Sequence, residues 1–212
     1  MKNTEFLIIR HGQSVANAEN VYLGHTDKDL SELGYRQAEA CAAALSDVEI
    51  DFVYSSDLLR ARSTAEPHAR LRGLEVNTSR ELRELNIGLW ENRKIDDIIA
   101  EWGDEFLVGW RKNFGIFTPP CGEGVRAGGE RFCRELERIA KRHPGKRIII
   151  AAHAAVIRSA WGVMAGIAPE TLAEAIPFPT NASLTRVDFD GKQLIPIEYS
   201  NSSYAESAYS EA

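Results

Sequence analysis

Two histidines in this 212-residue chain each close a short apolar run. His11 follows the segment FLIIR, and His153 follows RIIIAA. A continuous apolar run fits a strand buried on both faces, and ligands of open α/β sheets sit at the carboxyl ends of the strands. If the two strands are neighbours, both imidazoles face one crevice. A helix start is expected after each histidine, and would offer backbone N–H groups and a positive dipole end to an anion. One histidine at a strand end is a common loop residue; two with the same grammar point to a shared site. Arg10 precedes His11 at the end of a buried strand, where a charge needs a partner. Arg60 lies in the first turn after a second strand. Guanidinium groups are bidentate donors suited to phosphate oxygens, and Gln13 and Asn17 add neutral donors. Two arginines and two histidines at strand ends make a phosphate pocket. Cleaving a phosphate ester also needs an acid for the departing alcohol. Glu81, Glu84 and Glu91 all lie where the chain leaves the third strand-like segment, and position alone does not choose among them.

The elements that must position these groups alternate. Strands are expected at Glu5–Ile9, Asp51–Ser55 and Lys146–Ala152. Ser31 is placed to cap a helix over 31–46, with Ala38, Cys41, Ala42 and Leu45 at helical spacing. Asp57 is placed to cap a helix through Arg60 and Ala65 that Pro67 should kink or end. Phe132, Leu136, Ile139 and Ala140 form a stripe on a helix from Val125 to His143, and Ala154–Ala165 forms another. Ser183–Phe189 and Gln193–Glu198, split by Asp190 and Gly191, read as a hairpin. The pattern implies a three-layer αβα sandwich around a mainly parallel sheet. Residues 86–124 differ, holding Trp90, Trp102 and Trp110. They are expected to form short helices and a loop as a cap inserted into one domain spanning 1–199, with 200–212 a weakly ordered tail.

Composition excludes several classes. A formal charge of −6 with no basic run disfavours nucleic acid as a partner. The N-terminal apolar run is too short for a signal segment, and nothing approaches a membrane span. Cys41, Cys121 and Cys133 have no metal-ligand spacing and read as reduced thiols of a cytoplasmic protein. No metal and no cofactor is expected. The expected partner is a small phosphorylated metabolite, with homodimerisation left open.

At this point the chain resembles the histidine phosphatase superfamily, with its phosphoglycerate mutase-like fold. The resemblance rests on RHGQS with Asn17, on YLGHTDKDLSELGYRQA at 22–38, on SSDLLRARSTAE at 55–66, on LRELNIGLWE at 82–91, on HAAVIR from His153 and on Asn181 in NASLTRV. These matches run in family order over about 180 residues. The resemblance implies that His11 is the nucleophile and becomes phosphohistidine. It implies that Arg10, Arg60 and His153 hold the phosphoryl oxygens and that Glu84 protonates the leaving oxygen. Gly12, Gln13, Asn17, Leu23, Gly24, Ala154 and Asn181 are then expected on the phosphate or substrate side. A nucleophilic imidazole must be neutral, and adjacent guanidinium charges favour that form.

The chain departs from the family pattern at Ala154 and Ala155, where glycines are usual, at Asn92, and at Pro67. Gly124 stands where a serine would cap the helix beginning at Val125. Three functions fit: a phosphomonoester hydrolase, a cofactor-dependent phosphoglycerate mutase, and an idle phosphate-binding module. The mutase lysine register counted from Glu84 falls on Ile95, with Lys94 one place off, and Leu85-Asn86-Ile87 lacks the basic and aromatic residues of mutases. Arg111 and Lys112 could stand in for a mutase's paired arginines. Trp90, Trp102, Trp110 and Phe106 could stack on a nucleotide-like or ribazole-like ring, although packing on one another is the commoner use of such residues. The hydrolase is the reading the residues favour.

Overall fold

A computed structural model describes residues 2–209. In chain order the elements are β1 (Thr4–Arg10), α1 (Val15–Ala18), β2 (Val21–Tyr22), α2 (Glu32–Ala44), β3 (Phe52–Ser56), α3 (Leu59–Arg72) and β4 (Val76–Ser79). After a 3-10 turn at Arg80–Leu82 come β5 (Arg93–Lys94), α4 (Ile95–Asp104), a π-helical stretch at Glu105–Lys112 and α5 (Val125–Arg142). The chain continues with β6 (Arg147–Ala152), α6 (Ala154–Met164), α7 (Leu172–Ala175), β7 (Leu184–Phe189) and β8 (Leu194–Asn201).

The main sheet has the order β4-β3-β6-β1-β7-β8. Its first four strands are parallel, and β7 and β8 add an antiparallel hairpin at one edge. The pleat explains why apolar runs were needed. Successive side chains of a strand point to opposite faces. Phe6 and Ile8 of β1 enter a core shared with α5, α6 and the 86–124 segment, whereas Leu7 and Ile9 enter a second core with α2 and α3. Both faces are buried, as a three-layer αβα sandwich requires.

Most elements fall where the sequence put them; the differences are local and have causes. Helix α3 runs through Pro67 to Arg72 without ending, and closes on Gly73 in the left-handed conformation. Its buried stripe of Thr64, Ala65, His68 and Ala69 spans the proline, so packing holds the helix across the missing hydrogen bond. Asp57 does not cap this helix. The first N–H, of Leu59, donates to Asp27 from a distant loop at 2.8 Å, while Asp57 takes a bidentate pair from Arg83 at 2.6 and 2.7 Å. Gly124 gives α5 no side-chain cap, as its residue type implied. The described part of the tail makes contacts with the domain. β8 carries the chain to Asn201, Tyr204 packs against the Leu7 core and Ala205 is buried; residues 210–212 lie outside the described residues.

Over 86–124, Trp90 organises a small aromatic core. Its ring is stacked on Phe117 at 5.5 Å and edge-on to Phe106 and Trp110 at 5.1 and 6.0 Å. The ribbon of β2 and β5 ties this segment to the loop after β1.

The turn after β1 is fixed by a backbone approach that only glycine allows. A Cβ at Gly12 would run into the carbonyl of Gly34 in α2, and one at Gly34 would run into the Gln13 carbonyl. Ser31 N–H donates to that same Gln13 carbonyl at 2.8 Å. Gly34→Ala is therefore expected to overpack the turn and lower unfolding free energy by about 1–3 kcal/mol in urea denaturation. An unchanged midpoint would show that the turn can move away.

Candidate active site

His11 and His153 meet because β1 and β6 are neighbouring parallel strands in a register that pairs Arg10 with Ala152. One further rung, His11 N–H to the Ala152 carbonyl at 2.9 Å, closes the ladder. The two rings then lie 5.2 Å apart, edge to face at 63°. Both are buried.

The tautomer of His11 follows from its partner. Nδ1 lies 2.7 Å from the Gly12 carbonyl oxygen. A carbonyl can only accept, so Nδ1 carries the proton and Nε2 keeps its lone pair. The pKa of His11 is well below its ordinary value, first because burial penalises the imidazolium and then because Arg60 and Arg10 are close. His153 is lowered by the same causes in the same order, with His11 adding to the effect. Neither ring nitrogen of His153 has a hydrogen-bond partner among the described residues. A buried imidazole without partners is costly, and a phosphoryl oxygen in the site would relieve it.

Arg60 is buried in the first turn of α3. Its guanidinium donates to the carbonyls of Thr26 at 3.0 Å and Gly24 at 2.8 Å. Burial lowers its pKa to about 10, opposed by Glu84, Asp27 and Glu91, so it stays charged at neutral pH. Glu91 holds the same loop from the other side, accepting from His25 N–H, Thr26 N–H and the Thr26 hydroxyl at 2.8–2.9 Å. Arg10 donates to the Pro179 carbonyl at 2.5 Å.

Of the three candidate glutamates, Glu84 is the one that reaches the cavity. Its carboxylate accepts from the N–H groups of Ala155 at 3.0 Å, Val156 at 2.8 Å and Leu85 at 3.0 Å. This changes one expectation. The N-terminus of α6 does not stand open to a bound anion, because Glu84 already occupies it. The start of α1 is closed as well, by a capping box in which Ser14 accepts from Asn17 N–H and Asn17 accepts from Ser14 N–H, both at 3.1 Å. Arg131 fixes the Glu84 segment by donating to the carbonyls of Glu81, Arg83 and Glu84 and pairing with Glu123 at 2.8 Å.

These groups surround one cavity of about 270 Å³. Arg10, His11, Asn17, Leu23, Gly24, Arg60, Glu84 and Ala154 line it, as expected from the sequence. Four expected residues do not. His153 is fully buried, its ring 5.2 Å from that of His11. Gly12 packs its backbone on Gly34 and Thr64. Gln13 accepts from the Ser31 hydroxyl at 2.8 Å. Asn181 braces the site from outside, donating to the His11 carbonyl at 3.0 Å. Sequence reasoning missed Tyr22, Ile87 and Phe178 as lining residues. Tyr22 opens one quoted motif and Ile87 lies within another, while Phe178 lies between two prolines with no signal of its own. Among the four aromatics proposed for stacking, Trp110 lines the cavity, whereas Trp90 and Phe106 are fully buried. His68 of α3 is also fully buried, and burial holds it down to about 3.

Comparison with known proteins adds to this geometry. The sequence profile of the histidine phosphatase superfamily (branch 1) matches residues 6–201. Over 163 residues the chain is 34% identical to the 2,3-bisphosphoglycerate-dependent phosphoglycerate mutase of Allorhizobium ampelinum, covering 72% of this chain and 75% of that protein. It is similar to the structure of mycobacterial glucosyl-3-phosphoglycerate phosphatase in complex with VO3, with a TM-score of 0.86 and 25% identity over 93% of this chain and 99% of that one. Against the YhfR structure from Bacillus stearothermophilus the TM-score is 0.88 at 25% identity, covering 95% and 99%.

The buried histidines have a consequence for stability. His11, His153 and His68 are all held neutral in the fold, whereas an unfolded chain protonates histidine near pH 6.5. Below that pH the unfolded state takes up more protons, so stability is full above about pH 6.5 and falls as pH drops below it. Urea midpoints measured from about pH 8 to about pH 5 should show this fall, and His68→Leu should remove part of it. A flat profile would mean that these histidines titrate as they do in an unfolded chain.

Proposed function

Because this chain belongs to the histidine phosphatase superfamily, we propose that it hydrolyses the phosphomonoester of a small metabolite through a phosphohistidine on His11. In the first step the Nε2 lone pair of His11 attacks phosphorus. The P–N bond forms as the ester P–O bond breaks, and the departing oxygen takes the proton of Glu84, which enters this step as the carboxylic acid and leaves it as the carboxylate. In the second step Glu84 takes a proton from water, whose oxygen attacks phosphorus and breaks the P–N bond. Phosphate leaves, and His11 and Glu84 return to their starting forms. Arg10, Arg60 and His153 offset the charge that builds on the phosphoryl oxygens. This chemistry draws its positive charge from Arg10 and Arg60, so turnover is expected to survive EDTA.

The observation that carries hydrolysis over phosphoryl transfer between phosphoglycerates is the position of the charges. Among the described residues that line the cavity, Arg10 and Arg60 are the cationic side chains, and both stand close enough to His11 to lower its pKa. Ile95, at the register of the mutase lysine, adds an apolar wall. Lys94, Arg111 and Lys112 are exposed, and Arg111 lies over the Phe106 ring at 5.8 Å. A bisphosphate or a carboxylate would meet no second set of cations among the described residues that line the cavity. The mutase reading keeps one support, the relatives named phosphoglycerate mutase that share about a third of their residues with this chain over most of its length. Assay of 3-phosphoglycerate isomerisation with 2,3-bisphosphoglycerate, beside phosphate release from a panel of monoesters, separates the two. Release without isomerisation is expected. Isomerisation faster than release would replace the hydrolase with a mutase.

Glu84→Gln gives the mechanistic test. Loss of a general acid is expected to slow alkyl phosphates by about 10²–10⁴-fold and p-nitrophenyl phosphate far less, because its leaving group needs little protonation. Equal losses on both would assign Glu84 a purely structural role at the start of α6.

A further inference from the structure

The cavity wall includes a strap of chain that the phosphoryl chemistry does not use. There the chain crosses from α7 to β7 as Ile176-Pro177-Phe178-Pro179, and its backbone is held at three carbonyls. Arg158 Nε donates to Ile176 at 2.6 Å, the Tyr199 hydroxyl donates to Pro177 at 2.8 Å, and Arg10 donates to Pro179 at 2.5 Å. The strap is thus anchored to one of the cavity's own cations.

What this strap presents is a ring. Phe178 lines the cavity and remains 38% exposed. It is stacked with Trp110 at 6.4 Å and 26°, and edge-on to Phe114 at 5.1 Å. The guanidinium of Arg158 lies 4.3 Å from the Phe178 centroid and 4.6 Å from that of Phe114. Arg158 is itself buried, and among the described residues no carboxylate lies within ion-pair distance of it. A buried cation is expensive. Here it is spent on the strap carbonyls and on ring faces, which fixes the orientation of Phe178 rather than neutralising a charge. An exposed phenyl ring fixed in this way within a cavity is a prepared surface for a flat apolar group. Ile87 and Ile95 also line this cavity and add apolar surface to its wall.

We propose that Phe178, with Trp110 and Ile95, forms a leaving-group subsite, and that the substrate is a phosphomonoester whose alcohol part is flat, apolar and uncharged. This deepens the hydrolase reading and rests on it for its kinetic test. Arg158 is a positioning residue for Phe178. Arg10 holds the Pro179 carbonyl, so the ring stands one residue along the strap from a side chain that would hold the phosphate.

Two measurements separate this subsite from the hydrolase reading. The first compares kcat/KM for 1-naphthyl phosphate and ethyl phosphate in the wild type, Phe178→Ala and Phe178→Trp. Phe178→Ala is expected to lose about 10-fold on the naphthyl ester, mainly through KM, and to change less than about 2-fold on the ethyl ester. Phe178→Trp is expected to recover the loss. Equal losses on both esters, or a wild type preferring 3-phosphoglycerate over the naphthyl ester, would overturn the subsite. The second measures equilibrium binding of 1-naphthylmethylphosphonate and methylphosphonate, which needs no turnover. Tighter binding of the aryl phosphonate, weakened by Phe178→Ala, supports the subsite even if no ester is hydrolysed, in which case the hydrolase reading alone fails. Equal binding of the two phosphonates overturns the subsite whatever the turnover.

Discussion

The hydrogen bond from His11 N–H to the Ala152 carbonyl, at 2.9 Å, is the constraint on which the site depends. It extends the parallel ladder of β1 and β6 one residue past the strands, so that two chain segments about 140 residues apart deliver their imidazoles to the same point. A slip of one residue in this register would turn every side chain of β1 to the other face. Phe6 and Ile8 would then exchange cores with Leu7 and Ile9, and the histidines would part. The two buried cores that stabilise the sheet therefore also hold the chemistry in alignment, and Asn181 secures the same rung by donating to the His11 carbonyl at 3.0 Å.

Around that point the protein gathers positive charge while carrying a net charge of −6. Arg60 is buried and held by carbonyl oxygens. Carbonyls orient a guanidinium without neutralising it, so its charge remains available to a bound anion. The same charge, together with burial, keeps His11 and His153 neutral, and the bond from His11 Nδ1 to the Gly12 carbonyl leaves Nε2 as the basic nitrogen. The proposed nucleophile, its tautomer and the positive charge beside it thus arise from one set of contacts. Glu84 is set apart from them, on the N–H groups of α6, where a carboxylate can stand close to the phosphate site without pairing with the arginines.

Much of this was legible in the sequence, because it is local. The segments FLIIR and RIIIAA carry their own burial pattern, and each ends at its histidine, so both strands and both histidines could be read together. The 31–46 helix and the turn at Asp190 and Gly191 announce themselves by caps and turn residues in the same way. What escaped depends on distant partners. Asp57 looks like a cap until Arg83 takes it and Asp27 supplies the cap from elsewhere. The start of α6 looks like an open anion site until Glu84, some seventy residues earlier, fills it. Pro67 reads as a break, yet the buried stripe of α3 holds the helix together across it. Gln13 reads as a phosphate donor, but Ser31 claims its side-chain oxygen. Phe178 gains its meaning only from Arg158, Trp110 and the cavity, none of which its own neighbourhood in sequence reveals.

The central claim, that His11 carries the phosphoryl group, is tested most directly by rapid quenching with a phosphomonoester labelled at phosphorus and mapping of the trapped adduct. A phosphoramidate on His11, labile in acid and stable in base, is expected. His11→Ala should lose label and turnover together, and His153→Ala should slow turnover while retaining some labelling. Label mapped to His153, or an active His11→Ala protein, would contradict the mechanism and leave the fold and family as they stand.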